Sequence, residues 1–352
     1  MSNDISQSLQ QSVLEAADKG TALKIVGGNS KAFYGRETEG EILNIAGHSG
    51  ILNYEPTELV VTARAGTTLA ELEQTLADNN QMLPFEPPRF GETATVGGTV
   101  ATNFSGPRRP YAGAVRDHVL GVKIINGKGE ILHFGGEVMK NVAGYDLTRL
   151  MAGAMGSLGI LLEVSFKVIP VPQKEITLYR NCSIDTAIQT MNDWAARPYP
   201  ITASVFDGHN LYMRFGGSEN AVEAARKKFG GDELNDSIDY WQRIKEHQHG
   251  FFDDDTPLWR LSVAPASKPF DLPGKTLLDW GGAQRWYKGE AAQEIIRRTA
   301  REAGGHAVMF RDGDRSQPFQ PLEPVIMRLH KNLKQAMDPK NIFNPGRLYA
   351  KF

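Results

Sequence analysis

Apolar residues at Ile5, Leu9, Val13 and Leu14 recur at helical spacing through an otherwise polar stretch, so an amphipathic helix is expected near the start of the chain. Next comes "ALKIVGG", a short apolar run ending in a glycine pair, which predicts a strand feeding a tight turn. "ELVVTARAG" reads as a second strand. "TTLAELEQTLADNN" follows as an amphipathic helix opened by Thr67 or Thr68, whose hydroxyls suit an N-cap. Strand, loop, strand and helix in that order fit a small βαβ unit. There the periodicity stops: "GETATVGGTVATNFSGPRRPYAG", residues 91–113, matches neither helix nor strand. It resumes with two β-rich runs on either side of "NGKG", a hairpin signal. "YDLTRLMAGAMGSLGILLEVSFKVIPVP" then predicts a short helix, a glycine turn and a strand closed by Pro170 and Pro172.

Those prolines mark the expected domain boundary. Beyond them strands and helices alternate, which suits an α+β sandwich with helices on one face. "PVIMRLHKNLKQAM" is an amphipathic helix with an apolar stripe of Val325, Ile326, Leu329 and Leu333, stopped by Asp338–Pro339. The expected organisation is α+β, with domains over 1–172 and 173–323 and a C-terminal helix and return segment over 324–352.

Composition narrows the function classes. A length of 352 residues suits two domains, and a net charge of −2 gives no polyanion-binding surface, so nucleic acid is not an expected partner. The single Cys182 excludes a disulfide framework and a cysteine-ligated iron–sulfur cluster within this chain. The polar N-terminal stretch lacks the features of a signal peptide, and no run approaches the ~18 apolar residues of a membrane span. A cytoplasmic setting is expected, with membrane contact only peripheral or through a partner.

Glycine is 36 of the 352 residues, about one in ten against a usual ~7%, and the excess clusters in a few loops. "IVGGNSKAFYG", 25–35, exposes consecutive N–H groups after a strand, the geometry of an anion nest or of a simple turn. It is neither a Rossmann fingerprint nor a Walker loop. "TVGGTVATNFSG" joins glycines to small hydroxyl and amide side chains. Loops of that length in compact domains usually bind something. In "GYDLTRLMAGAMGSLGILLEV", Gly153, Gly156 and Gly159 recur every third residue. Each would cost a helix ~1 kcal/mol, so a loop feeding a strand is expected there.

The three motifs in this order resemble the FAD-binding domain of the vanillyl-alcohol oxidase / p-cresol methylhydroxylase superfamily. The match covers roughly 20–172 and 330–350. "LLDWGGAQRW", "AGGHAVMFR" and "NIFNPGRLY" are most similar to the smaller FAD-binding subunits of bacterial glycolate oxidase. The resemblance implies that the first loop, here Val26, Gly27, Gly28, Asn29 and Ser30 with Gly35 behind it, holds the FAD pyrophosphate. The second segment, here Thr95, Val96, Gly97, Gly98, Ala101, Asn103, Ser105 and Gly106 with Pro87 ahead of it, would wrap the diphosphate and isoalloxazine region. The third, here Gly153, Gly156, Ser157, Gly159 and Ile160 with Gly144 and Asp146 upstream, would supply backbone contacts toward the adenine end. "DPKNIFNPGRL" resembles the family's return to the flavin and brings Asn344 to it.

The resemblance implies glycolate oxidation through FAD, with a larger homologous FAD-binding subunit and an iron–sulfur subunit as partners and a small 2-hydroxy acid as substrate. A self-sufficient flavin dehydrogenase and a structural or electron-transfer flavin subunit are the other readings. Many relatives tether FAD through a histidine in the first loop; Asn29 stands there, so FAD is expected to be non-covalent. The histidine-rich, metal-associated motif of larger relatives is missing, and "KEHQHGFFDDD" reads as a solvated loop, leaving no expected metal. For catalysis the candidates are Arg285, as a carboxylate anchor or an inter-strand arginine, and His306, as a base or a hydrogen-bonded strand residue.

Overall fold

Helix Ser6–Lys19 turns Leu9, Val13, Ala16 and Ala17 inward and stops at Gly20, whose φ of 66° is the left-handed conformation of a helix cap. The computed structural model describes residues 3–136 and 147–352, so the expected contacts at Gly144 and Asp146 lie outside the described residues. The chain divides into two compact units: residues up to 105, 114–170 and 321–352 form the first, and Gly106–Gly113 with Val171–Gln320 form the second.

The first unit carries a five-stranded sheet in the order Ile51–Glu55, Val60–Arg64, Ile160–Lys167, Val119–Ile125, Ile131–Gly135. Its ladders are all antiparallel. The "NGKG" turn closes the last two strands with Ile125 opposite Ile131, and Asn126 Oδ1 accepts from the N–H groups of Lys128 and Glu130. Helix Leu69–Ala77 starts where Thr68 Oγ1 accepts from the Glu71 N–H, and it buries Leu69, Leu72 and Leu76. No βαβ crossover forms around it. The parallel pair is instead Leu23–Val26 with Glu41–Asn44, joined by the first glycine loop.

Residues 91–113, expected as neither helix nor strand, are not irregular throughout. Val96–Thr102 is a helix, capped by Thr95 and ended by Asn103 at a φ of 55°. Its two glycines lower helix propensity, but Val96, Gly97, Thr99 and Val100 are buried, and that packing overrides the local preference. Gly97 is required there, because an added Cβ would lie 2.8 Å from the Ala65 Cβ.

The second unit is built on an eight-stranded sheet. Its order is Asp232–Glu233, Lys174–Asn181, Asn210–Gly217, Ile201–Phe206, Lys275–Asp279, Gln284–Lys288, Leu258–Ser262, His306–Arg311. Helices Ile184–Ala195 and Glu219–Phe229 cover Ile176, Leu178, Met213 and Phe215, and helix Gln293–Glu302 packs on Trp259, Leu261 and Ala307. The expectation of helices on one face only does not hold. Thr177, on the opposite face from Ile176 and Leu178, accepts from the Trp241 indole of helix Ser237–Lys245 at 2.8 Å. The segment expected as a solvated loop is also partly core: His247 stacks on Phe252 at 4.0 Å and meets Trp286 edge-on, and Phe251 and Phe252 are buried.

Candidate functional site

The first glycine loop leaves strand Leu23–Val26 and lies against residues 89–95 of the same unit. Thr93 Oγ1 donates to the Gly28 carbonyl at 2.5 Å. An added Cβ on Gly28 would fall 1.4 Å from the Thr93 carbonyl oxygen, and one on Gly27 would fall 2.8 Å from Thr95 Oγ1, so both glycines are demanded by this approach. Asn29 takes a left-handed φ of 59°. Among the described residues the N–H groups of Gly27, Gly28, Asn29 and Ser30 donate to no backbone or side-chain acceptor. They form a run of donors available to an anion.

The second segment behaves differently. The Val96, Gly97 and Gly98 N–H groups are engaged by the Thr67 carbonyl at 2.9 Å, the Ala65 carbonyl at 2.8 Å and Thr95 Oγ1 at 3.2 Å. This turn therefore offers a ligand the half-buried flank of Gly98, Ala101 and Asn103 rather than bare N–H groups. The third segment runs along that helix: Gly153 N–H donates to the Val100 carbonyl at 3.0 Å and Met155 N–H to the Ala101 carbonyl at 2.9 Å. Gly153 and Gly156 hold φ of 90° and 72°, consistent with a loop feeding the strand at Ile160.

The C-terminal return closes the arrangement. Asn344 accepts from the Ile25 N–H at 2.8 Å and donates to the Met155 carbonyl at 2.7 Å, joining the first strand to the third loop. Both ends of its side chain thus serve the protein. A Cβ on Gly156 would lie 2.6 Å from Asn344 Nδ2, and one on Gly35 would lie 2.8 Å from Met155 Cε. Ser157 is likewise engaged: its hydroxyl donates to the Ala154 carbonyl at 2.6 Å, and its carbonyl accepts from Lys334 Nζ at 2.7 Å. Lys334 also donates to the Phe343 carbonyl and to Asp338, whose carboxylate accepts from the Ile342 and Phe343 N–H groups. Burial pushes the Lys334 ammonium pKa down, and Asp338 opposes that shift.

The structure thus brings Val26–Ser30, Gly35, Thr95–Gly98, Ala101, Asn103, Gly153 and Gly156 into one set of touching segments. Gly159 and Ile160 lie deeper, beside the Ile125 carbonyl, and Pro87 is buried. Ser105 Oγ accepts from the Val115 N–H. Gly106 belongs to the second unit, where its carbonyl accepts from the Trp280 indole at 3.0 Å.

The catalytic candidates do not make a site. Arg285 is fully buried, and its guanidinium donates to the carbonyls of Gly282 at 3.3 Å, Lys268 at 2.7 Å and Ser267, with Phe270 against its face. Burial lowers its pKa to about 10. Three backbone carbonyls thus occupy its guanidinium donors. Paired residues of an antiparallel ladder share a face, so Arg285, Leu261 and Ala307 point one way, and His306 with Ser262 and Gln284 points the other. Base and anchor on opposite sides of a sheet cannot meet one substrate.

Sequence reading passed over Lys31, Thr93 and Thr99. Each lies within a run of small and polar residues that gives it no distinguishing pattern, and only the fold shows that Lys31 and Thr99 are buried.

A family model for an FAD binding domain matches residues 6–135. The glycolate oxidase subunit GlcE of Escherichia coli (strain K12) is 49% identical over 347 residues, covering 99% of this chain and 98% of that protein. The glycolate oxidase subunit GlcD of Bacillus subtilis (strain 168) is 34% identical over 181 residues, 50% of this chain and 38% of that protein. Among solved structures, an alkyldihydroxyacetonephosphate synthase matches with a TM-score of 0.68 at 17% identity, covering 96% of this chain and 75% of that one, a likeness of fold alone.

The cofactor is FAD, and the residues present fit it. Besides the donors at 27–30, Asn103 Oδ1 and Thr99 Oγ1 are buried with no hydrogen-bond partner among the described residues. Such orphaned groups are costly unless a ligand or water meets them.

Proposed function

This chain belongs to the family of the glycolate oxidase subunit GlcE, and from that premise we propose that it is the FAD-binding subunit of a complex that oxidises glycolate to glyoxylate. The observation that carries this reading is the end-to-end identity of 49% with a protein of that name. Bound FAD supplies the hydride acceptor for the α-carbon of a 2-hydroxy acid. This chain's part would be to hold it: the N–H groups of 27–30 would donate to the diphosphate, Asn103 and Thr99 would serve polar groups of the cofactor, and the Gly153–Gly156 loop would close the side. With Asn29 at the tether position, the cofactor is held without a covalent bond.

Electrons then pass to an iron–sulfur subunit, because Cys182 alone cannot ligate a cluster. A larger homologous flavin subunit completes the assembly and supplies the substrate-activating groups, a division supported by Arg285 and His306 lying on opposite faces of their sheet. The surface offered to these partners includes helix Pro324–Met337, whose Val325, Ile326 and Leu329 are 56%, 42% and 57% exposed. No described helix is long and apolar enough to cross a membrane, and we assign any membrane contact to the periphery of the assembly. Acid or heat denaturation of the purified chain tests the cofactor: FAD should leave with the supernatant, and flavin retained on the precipitate contradicts non-covalent binding.

A further inference from the structure

The tract that follows the second cradle segment carries a role of its own. Gly106–Gly113 lies inside the first unit's sequence but belongs to the second unit. Polar ties hold it there. The Trp280 indole donates to the Gly106 carbonyl at 3.0 Å, the Arg108 guanidinium meets the Glu175 carboxylate at 2.7 Å, and the Tyr111 hydroxyl hydrogen-bonds Ser204 Oγ at 2.9 Å. Arg109 lies over the Trp280 ring, 4.3 Å from its centroid. The turn that presents Trp280 strings together left-handed residues: Trp280, Gly281 and Gly282 hold φ of 54°, 66° and 90°. A bulky side chain keeps that conformation only where its surroundings over-determine it. Here the Trp280 N–H donates to Asp279 Oδ1 at 2.7 Å and the Gly281 N–H to Ser204 Oγ at 3.1 Å, so one hydroxyl serves both the turn and Tyr111.

At its start the same tract continues the cradle. Asn103, whose Oδ1 is orphaned, caps helix Val96–Thr102, and Gly106 follows it within roughly 10 Å of extended chain. Phe104 between them is buried with its ring edge-on to Tyr34 at 4.7 Å, and Ser105 Oγ accepts from the Val115 N–H at 3.2 Å. So short a stretch, fixed at both ends, has few conformations, and Asn103 is ordered before FAD arrives. Cutting the ties at Gly106–Gly113 returns that ordering cost to the binding step. We propose, resting on the FAD reading above and deepening it, that Trp280, Tyr111 and Ser204 are positioning residues for the cofactor. They hold Gly106–Gly113 on the second unit and so fix Asn103, through which they set FAD affinity.

The ties can be cut without emptying the core. Tyr111→Phe keeps the ring and deletes the hydroxyl, Trp280→Phe keeps an aromatic ring and deletes the indole N–H, and Ser204→Ala cuts the Tyr111 bond from its other side. Equilibrium binding of FAD to the full-length apo-protein is read by flavin fluorescence, and the visible absorbance of the bound flavin reports its surroundings. Arg285→Met is the control, because it weakens the second unit through the carbonyls of Ser267, Lys268 and Gly282 and leaves these ties in place. Expected for Tyr111→Phe/Trp280→Phe is a loss of FAD affinity of about 3- to 30-fold with a shifted flavin spectrum, against little change for Arg285→Met. Tyr111→Phe and Ser204→Ala together should cost less than the sum of the two, since they share a bond. Should Trp280→Phe fail to fold, Tyr111→Phe and Ser204→Ala carry the same comparison. Unchanged affinity and spectrum in the double variant overturn the inference, and so does an equal loss in Arg285→Met, which would make the effect one of the second unit's stability. A wild type that binds no FAD refutes the parent reading and this one with it.

Discussion

Replacing Lys334 by methionine should loosen the C-terminal return and release FAD. Lys334 and Asp338 have side chains 7% and 0% exposed and meet at 2.7 Å. Removing the ammonium strands the Asp338 carboxylate with only the Ile342 and Phe343 N–H groups, at 3.1 and 2.8 Å. It also leaves the Ser157 and Phe343 carbonyls without the donor that reached both. Breaking a buried pair from one side costs about 3–5 kcal/mol, because an uncompensated charge remains inside. At ~2–4 °C per kcal/mol for a domain of this size, Tm should fall by about 6–20 °C. Since Asn344 and Phe343 sit on the same segment, FAD retention should fall with it. The double variant Lys334→Met/Asp338→Asn removes the stranded charge and should be more stable than Lys334→Met alone, a non-additivity expected of direct contacts. Calorimetry of the three proteins decides it. A Lys334→Met protein within ~1 kcal/mol of wild type would refute the reasoning.

Gly156→Ala should cut FAD retention and destabilise by more than ~1 kcal/mol, because its φ of 72° and the Asn344 amide 2.6 Å away both reject a Cβ; gel filtration with flavin absorbance checks it. Arg285→Met should lower the second unit's stability by a few kcal/mol through its lost carbonyl contacts while FAD affinity stays constant; coincident loss of FAD binding would contradict the structural role. Burial, with Arg311 and Arg260 nearby, holds His247 well below its ordinary pKa of 6.5, so the unfolded chain takes the proton first as pH falls. The stability from neutral His247 is complete above pH 6.5 and is lost below it at about 1.4 kcal/mol per pH unit. His247→Asn, which tolerates the φ of 56°, should flatten that slope in urea titrations at several pH values, and an unchanged slope speaks against it. Leu329→Glu on the exposed helix face should weaken capture of partner subunits without changing FAD content, measured by co-purification.

Much of the first unit was legible in the sequence where local chemistry dictates local structure: the Thr68 cap, the "NGKG" hairpin, the glycine loop that feeds Ile160. Strands Glu41–Asn44 and Ile51–Glu55 were not, because most of their residues are exposed and show little apolar alternation. Helix Val96–Thr102 was hidden by glycines that tertiary packing needs. Motif order singles out the glycine segments, but not which of them spend their N–H groups inside the protein. That Val96, Gly97 and Gly98 use their N–H groups internally, while Gly27 to Ser30 do not, depends on partners distant in sequence. Arg285 reads in the sequence as a carboxylate anchor or an inter-strand arginine; only the fold supplies the three carbonyls that hold it.

The most direct test of the central claim is anaerobic mixing of glycolate with the FAD-loaded chain, alone and within the complex co-purified with its partners, while the flavin's visible absorbance is followed. The flavin of the assembled complex should bleach on the timescale of turnover and pass electrons to the iron–sulfur partner, whereas the isolated chain should sustain less than ~1 turnover per second with an artificial acceptor. A complex whose flavin stays oxidised in glycolate, or an isolated chain that turns over at ordinary enzyme rates, would contradict the account.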